Sequence, residues 1–318
     1  MKSFLLKCLL FVSSLLILLV GTLFYLPNNK TPNYLYAVIF KDDLFKETSS
    51  PKIVIIGGSN VQKGLDSSKI SNYFQYPVVN MGATAPLGLV YMLRAAEPVI
   101  NEGDFVVMIP EYHQFENMFY GEHPLVVAIF DIIPEFRENM PFIQWMYLLR
   151  YMPNHSATKL INNFRQDARF RIPRQKNSRD KIQLNQWFNQ YGDYKTDWEE
   201  VNSKPYPKIN IAKLEGRKIN HSVFKHIKKF TDEMDDKNVR WIFLPPCFHE
   251  SAFNSISNHI YAINAKLLES EIGYGVDPAR YKMKDELFYD TYYHPNNLGI
   301  DIRTDLVIED LKMIIDEK

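Results

Sequence analysis

The sequence predicts an α/β fold: a parallel β-sheet covered by helices on both faces, preceded by one membrane-crossing helix and interrupted by a helical insertion. Three observations predict it. Four apolar runs, at 52–57, 76–82, 104–110 and 239–246, lack the polar alternation of half-exposed strands, as expected where both faces are buried. Segments with helical spacing lie between and after these runs, and strands alternating with helices imply the crossovers of a parallel sheet. The first 26 residues hold a long uncharged apolar stretch.

Taken in order, the chain opens with MKSFLLKCLLFVSSLLILLVGTLFYL, in which the 19 residues from Cys8 to Leu26 carry no charge. At about 1.5 Å per residue this run spans roughly 28 Å, enough for a bilayer core. It is long for a secretory signal and no A-x-A-like cleavage site follows it. A retained signal anchor over residues 1–27 is therefore expected in place of a cleaved signal. Lys2 and Lys7 precede the apolar run and favour a cytoplasmic N-terminus. The chain then crosses the membrane through residues 8–26, and everything after about residue 30 faces the periplasm or the cell surface. Residues 28–50 begin with the two-proline stretch PNNKTPN and read as a linker, within which YAVIF (36–40) suits a short strand or a helix start.

The α/β domain occupies residues 51–318. Its strands are expected at KIVIIG (52–57), YPVVNMG (76–82), DFVVMIP (104–110) and VRWIFLPP (239–246). Helices are expected over APLGLVYMLRAAEPVI after the second strand, HSVFKHIKKFTDEMDDKN before the fourth, SAFNSISNHIYAINAKLLESEI after it, and NNLGIDIRTDLVIEDLKMIIDEK at the end. From about 113 to 215 the alternation breaks. Two very apolar segments, PLVVAIFDIIPEF and PFIQWMYLLRYM, are followed by a polar stretch from 165 to 210. This is too long for a plain loop and predicts an inserted helical subdomain. Its apolar faces pack on the sheet, line an acyl pocket or rest on the membrane.

Composition excludes several functions. Lys plus Arg and Asp plus Glu number 37 each, so no global field draws in nucleic acid, and no basic tract with interleaved aromatics is present. Two cysteines, Cys8 and Cys247, lie far apart in the chain without a CxxC pair, which argues against a disulfide framework and a structural zinc site. Glu111, His113, Glu116 and His123 are metal-ligand types, but their spacing fits no mechanistic motif; no metal and no cofactor is expected. Cys247 reads as a buried, inert thiol.

Three short segments carry the chemistry. In a parallel sheet, ligands bind beyond the carboxyl ends of the strands, and Ser59 follows the first strand there. Gly57 and Gly58 permit a tight turn with space above the backbone. A serine in that place attacks a carbonyl when a base is in reach; a phosphate-binding turn or a helix cap is the alternative. In LFYDTYYHPNNLGID, Asp290 precedes His294 by four residues, close enough to orient an imidazole. Gly82, in NMG at the end of the second strand, can present a backbone N–H to the same crevice. His113, near the end of the third strand, is a rival base for Ser59.

Together these segments resemble the SGNH (GDSL-like) hydrolase superfamily. IVIIGGSN is similar to its first block, VVNMGA to its second and YDTYYHPNNLG to its last. The resemblance covers residues 51–110 and 239–318, and is closest to membrane-anchored extracytoplasmic members linked to polysaccharide O-acylation. It implies a three-layer α/β/α sandwich of strand order 2-1-3-4-5, Ser59 as nucleophile, Asp290 and His294 as the acid–base pair, and Gly82 with the Ser59 backbone as oxyanion donors. The chain departs from the common family pattern twice. Asp and His are separated by three residues instead of two. The asparagine usual after the third strand is replaced by PEYHQF, with Glu111, Tyr112 and His113. Losing one oxyanion donor costs roughly 3 to 4 kcal/mol, and Tyr112, His113 or Asn60 is then expected to substitute.

Two functions follow. One is a serine esterase or O-acyltransferase acting on acyl esters, acetyl above all, of a cell-surface glycan. Thioester donors are scarce outside the cytoplasm, so transfer requires a membrane partner that exports the acyl group. The other is a degenerate module that grips glycan or an assembly partner without chemistry.

Overall fold

The structure, a computed structural model, describes residues 2–26, 33–132, 140, 142–165, 187–196, 211–214, 216–273 and 276–316. In chain order the principal elements are α1 (Lys2–Tyr25), α2 (Asn33–Glu47), β1 (Ile53–Gly57), α3 (Ser59–Lys63), α4 (Ser67–Phe74), β2 (Val78–Asn80), α5 (Leu89–Ala96) and β3 (Phe105–Ile109). They continue with α6 (His123–Ile132), α7 (Phe142–Leu149), α8 (Met152–Arg165), α9 (Ser222–Asp236), β4 (Arg240–Phe243), β5 (Phe248–His249), α10 (Glu250–Glu269), β6 (Lys282–Met283) and α11 (Asn297–Ile315).

The four apolar runs form one parallel sheet in the order β2-β1-β3-β4. Ile53 lies opposite Val78 on one side and Phe105 on the other, and Phe105 lies opposite Arg240. Side chains alternate between faces. Ile53, Ile55, Phe105, Val107 and Ile242 pack on Ile70 of α4 and on Val307, Leu311 and Ile314 of α11. Val54, Ile56, Val106 and Met108 point the other way, where α5 meets β1 and α9 meets β4. Both faces are thus apolar, which explains runs without alternation. A fifth strand does not join this sheet among the described residues; β5 and β6 form a separate parallel pair.

Two compact units divide the chain: residues 1–36 with 122–181, and residues 37–121 with 182–318. The second contains the sheet. Its limits differ from an insertion over about 113–215. Residues 112–121 stay with the sheet because Val90 N–H donates to Phe119 O (3.0 Å) and Gln114 N–H to Glu111 O (2.9 Å). Residues 187–196 return to it through Asn80 N–H to Tyr191 O (2.8 Å) and Tyr194 N–H to Gln62 O (2.9 Å). The remainder of the polar stretch 165–210 lies outside the described residues, as does most of PNNKTPN. The expected linker 28–50 is largely helix, since α2 covers Asn33–Glu47 and buries Phe45 completely.

The first unit contains α1, α6, α7 and α8. α1 is long and apolar enough to cross a membrane, a property that signal anchors and signal sequences share.

The sheet unit depends on the completely buried β1. Ile55→Ala is expected to lower its unfolding free energy by about 2–5 kcal/mol, measured by chemical denaturation.

Candidate active site

The candidate site lies in the sheet unit, at the carboxyl ends of β1, β2 and β3. β1 and β3 are neighbours between which the strand order reverses, the crevice position of doubly wound sheets. The turn after β1 explains its glycines. A Cβ on Gly57 would lie 2.5 Å from Ile109 O, and one on Gly58 would lie 2.5 Å from Glu111 Oε1. Only glycine lets the β1 turn come this close to β3 and its following residue. Ser59 then opens α3, half-buried and accessible, where the first N–H groups have no intrahelical acceptor.

The second half of the site arrives 235 residues later. Residues 287–296 fold back as a tight loop: Phe288 pairs antiparallel with Pro295, Asn296 N–H donates to Leu287 O (2.7 Å) and Tyr289 N–H to His294 O (3.2 Å). Asn296 also caps α11, its side chain accepting from Gly299 N–H at 3.1 Å. This bend, and not a helical turn, brings the Asp290 carboxylate within 2.6 Å of His294 Nδ1. His294 Nε2 lies 2.8 Å from Ser59 Oγ. The imidazole is largely buried and the ring of Tyr289 stacks on it at 5.9 Å, whereas Asp290 is 38 % exposed.

Glu111 completes the row. Its Oε1 lies 3.0 Å from Ser59 Oγ and accepts from Asn60 N–H at 2.9 Å. A reciprocal capping box with Gln114 fixes the side chain. The other carboxylate oxygen lies 3.3 Å from His113 Nε2. His113 is therefore a partner of Glu111, and His294 holds the place on Ser59 for which both histidines are candidates.

Other residues named from sequence take different positions. Gly82 N–H donates to Asn80 Oδ1 at 2.8 Å, so it serves a buried asparagine in place of facing the crevice. The Asn60 side chain is completely buried and bonds Ile109 O (3.2 Å) and Arg303 (2.7 Å); it braces the turn. Tyr112 is buried edge-on against Phe248 at 5.2 Å, and its N–H donates to the Tyr293 hydroxyl. Burial raises the Tyr112 phenol far above its ordinary range. Glu116 pairs with Arg217 (3.1 Å) and His259 (3.0 Å). Cys247 is buried beside Tyr293 O, and burial pushes its thiol up to about 11, as suits an inert core cysteine.

Three supporting residues were not singled out from sequence. Arg303 of α11 is fully buried; its guanidinium donates to Asn60 O, Asn60 Oδ1 and Gly64 O, clamping the turn that carries Ser59. Asp193 accepts from Ser67 Oγ (2.5 Å) and N–H (3.0 Å), Asn80 Nδ2 (2.7 Å) and Asn189 Nδ2 (2.9 Å). It thereby aims Asn80 at Gly82. Lys41 of α2 is buried and donates to Gly82 O. Burial lowers its ammonium to about 7, against an opposing pull from Asp193.

No family model matches the chain, and no curated protein matches it. The fold and the site geometry therefore carry the functional reading.

Two outcomes are expected. Arg303→Met leaves three buried acceptors without their donor and lowers stability by about 3 kcal/mol or more, read by denaturant titration. Lys41 has its folded value near 7 and its unfolded value near 10.5. The unfolded chain binds more protons between those values, so stability rises with pH across that window. In Lys41→Met that contribution to the slope disappears, measured by urea denaturation at successive pH values from 7 to 10.

Proposed function

We propose that this chain is a membrane-anchored serine esterase or O-acyltransferase of the SGNH type. Its three-layer α/β/α domain is held outside the cytoplasm and acts on acyl, chiefly acetyl, esters of a cell-surface polysaccharide. The observation that carries this reading is the continuous row Asp290–His294–Ser59, with contacts of 2.6 and 2.8 Å. Both distances suit a base that takes a hydroxyl proton and an acid that orients the base.

In this reading Ser59 Oγ attacks the ester carbonyl as its proton passes to His294 Nε2. Asp290 keeps the other imidazole proton on Nδ1 and stabilises the imidazolium. The tetrahedral intermediate collapses, the C–O bond to the alcohol breaks, and His294 returns the proton to that alcohol. Water or a sugar hydroxyl then takes the acyl group by the reverse path. The Ser59 N–H, at the start of α3, is the oxyanion donor that the turn leaves in place. Transfer uses a membrane partner that presents the acyl group.

A second reading, a glycan-binding or assembly module without chemistry, has its own support. Gly82 and Asn60 both spend their N–H groups within the protein, on Asn80 and Glu111. An alkyl fluorophosphonate separates the two. The enzyme reading expects labelling at Ser59, abolished in Ser59→Ala and slowed at least about 10³-fold in His294→Ala. Labelling of His294→Ala at the full rate, or no labelling with glycan binding intact, overturns it.

A further inference from the structure

The helical unit, taken alone, buries an ion pair beside its apolar core and leaves large apolar side chains exposed. In α7, FIQWMYLL, Gln144 is buried to 1 % exposure. Phe142, Met146 and Leu149, spaced along one face at i, i+4 and i+7, are exposed to 78, 51 and 51 %. In α8 the buried positions include Ser156 and Lys159, whereas Ile161 and Phe164 are 47 and 83 % exposed. Among the buried apolar side chains of Val127, Ile129, Phe130 and Leu148 lies an ionic cluster. Lys159 Nζ donates to Asp131 Oδ1 at 2.6 Å, and His155 Nε2 lies 3.2 Å from Asp131 Oδ2.

Water is the wrong solvent for this pattern. Each large apolar side chain left exposed to water forgoes the free energy of its burial. In lipid the same pattern is the expected one: polar groups turn inward and pair with one another or with backbone carbonyls, and apolar groups face out. The end of α1 is built into this unit. Thr22 and Leu23 are buried in it while Phe4 to Leu18 carry their large apolar side chains exposed. Lys159 Nζ also donates to Leu23 O at 2.8 Å, and Phe24 packs on Phe130 at 6.1 Å. α8 thus packs on the last turns of the helix that is long enough to cross a bilayer. Tyr147 and Arg150, exposed near the end of α7, are residue types that sit at headgroup level.

We propose that α7 and the C-terminal half of α8 lie in the interface of the same bilayer that α1 crosses, so that the helical unit is a lipid-embedded collar on a retained anchor. Its occupant is lipid, and the inference stands whether or not Ser59 does chemistry.

The test uses the full chain with Cys8→Ser and Cys247→Ser, reconstituted in phosphatidylcholine–phosphatidylglycerol vesicles. Single nitroxide labels are placed at Phe142→Cys, Met146→Cys and Phe164→Cys, with Tyr73→Cys of α4 as the aqueous reference. These positions are exposed. Power-saturation EPR is expected to show collision with oxygen several-fold above collision with a water-soluble nickel chelate at two or more of the three sites, and the reverse at Tyr73→Cys. Nickel-dominated collision at two or more of the three overturns the proposal. So does low accessibility to both reagents at two or more, which would mark a protein-covered face.

Discussion

The buried guanidinium of Arg303 is the contact on which the candidate site rests. It lies on the last helix, and all its described acceptors belong to the turn that follows the first strand: Asn60 O, Asn60 Oδ1 and Gly64 O. That turn carries Ser59. The same helix begins at the Asn296 cap, two residues after His294. One cation therefore fixes the helix that follows His294 against the turn carrying Ser59, across 243 positions of sequence. Hydrogen bonds from a charged donor to buried acceptors are strong, and removing the donor leaves each acceptor desolvated.

Around this clamp the sheet supplies position and the polar networks supply aim. β1 and β3 pair in parallel over their full length, which puts the residues after each at one edge. Gly57 and Gly58 then let Ser59 and Glu111 meet. On the other flank, Asp193 gathers Ser67, Asn80 and Asn189, and Lys41 holds the Gly82 carbonyl. The turn after β2 is thus held from two sides by groups that are themselves buried.

Much of this was legible in the sequence, for definite reasons. Strands buried on both faces appear as unbroken apolar runs, whereas an order beginning 2-1-3-4 is only what the family resemblance implies; the observed sheet is β2-β1-β3-β4. Ser59 stood out because strand ends mark ligand sites, and Asp290 with His294 because four residues separate them. The supporting groups were hidden because charge on a helix usually means solvent. Arg303 lies in DIRTDLVIED, flanked by Asp301 and Asp305, which do face outward and pair with Lys69. Lys41 in VIFKDDLFKE has the same disguise. Pattern reports which residues are charged, and only packing reports which one points inward. Within the expected linker 28–50, the prolines punctuate only the start, and YAVIF falls inside the helix Asn33–Glu47, the helix start being one of its two readings. The roles expected of Gly82, Asn60 and Tyr112 assumed open N–H and O–H groups, whereas buried neighbours had already engaged or enclosed them.

The placement of Glu111 has a consequence for proton inventory. Asp290, His294, Ser59 and Glu111 stand in a line joined by three contacts of 2.6, 2.8 and 3.0 Å. Three hydrogen bonds in series need three hydrogens, and a hydroxyl with a neutral imidazole supplies two. The third resides on a carboxyl group or on the ring. On Glu111 it lets the hydroxyl donate to Nε2; on the ring it lets Nε2 donate to the hydroxyl and the hydroxyl donate to Glu111. The carboxylate beside Ser59 thus makes the direction of the whole row a matter of where a single hydrogen rests.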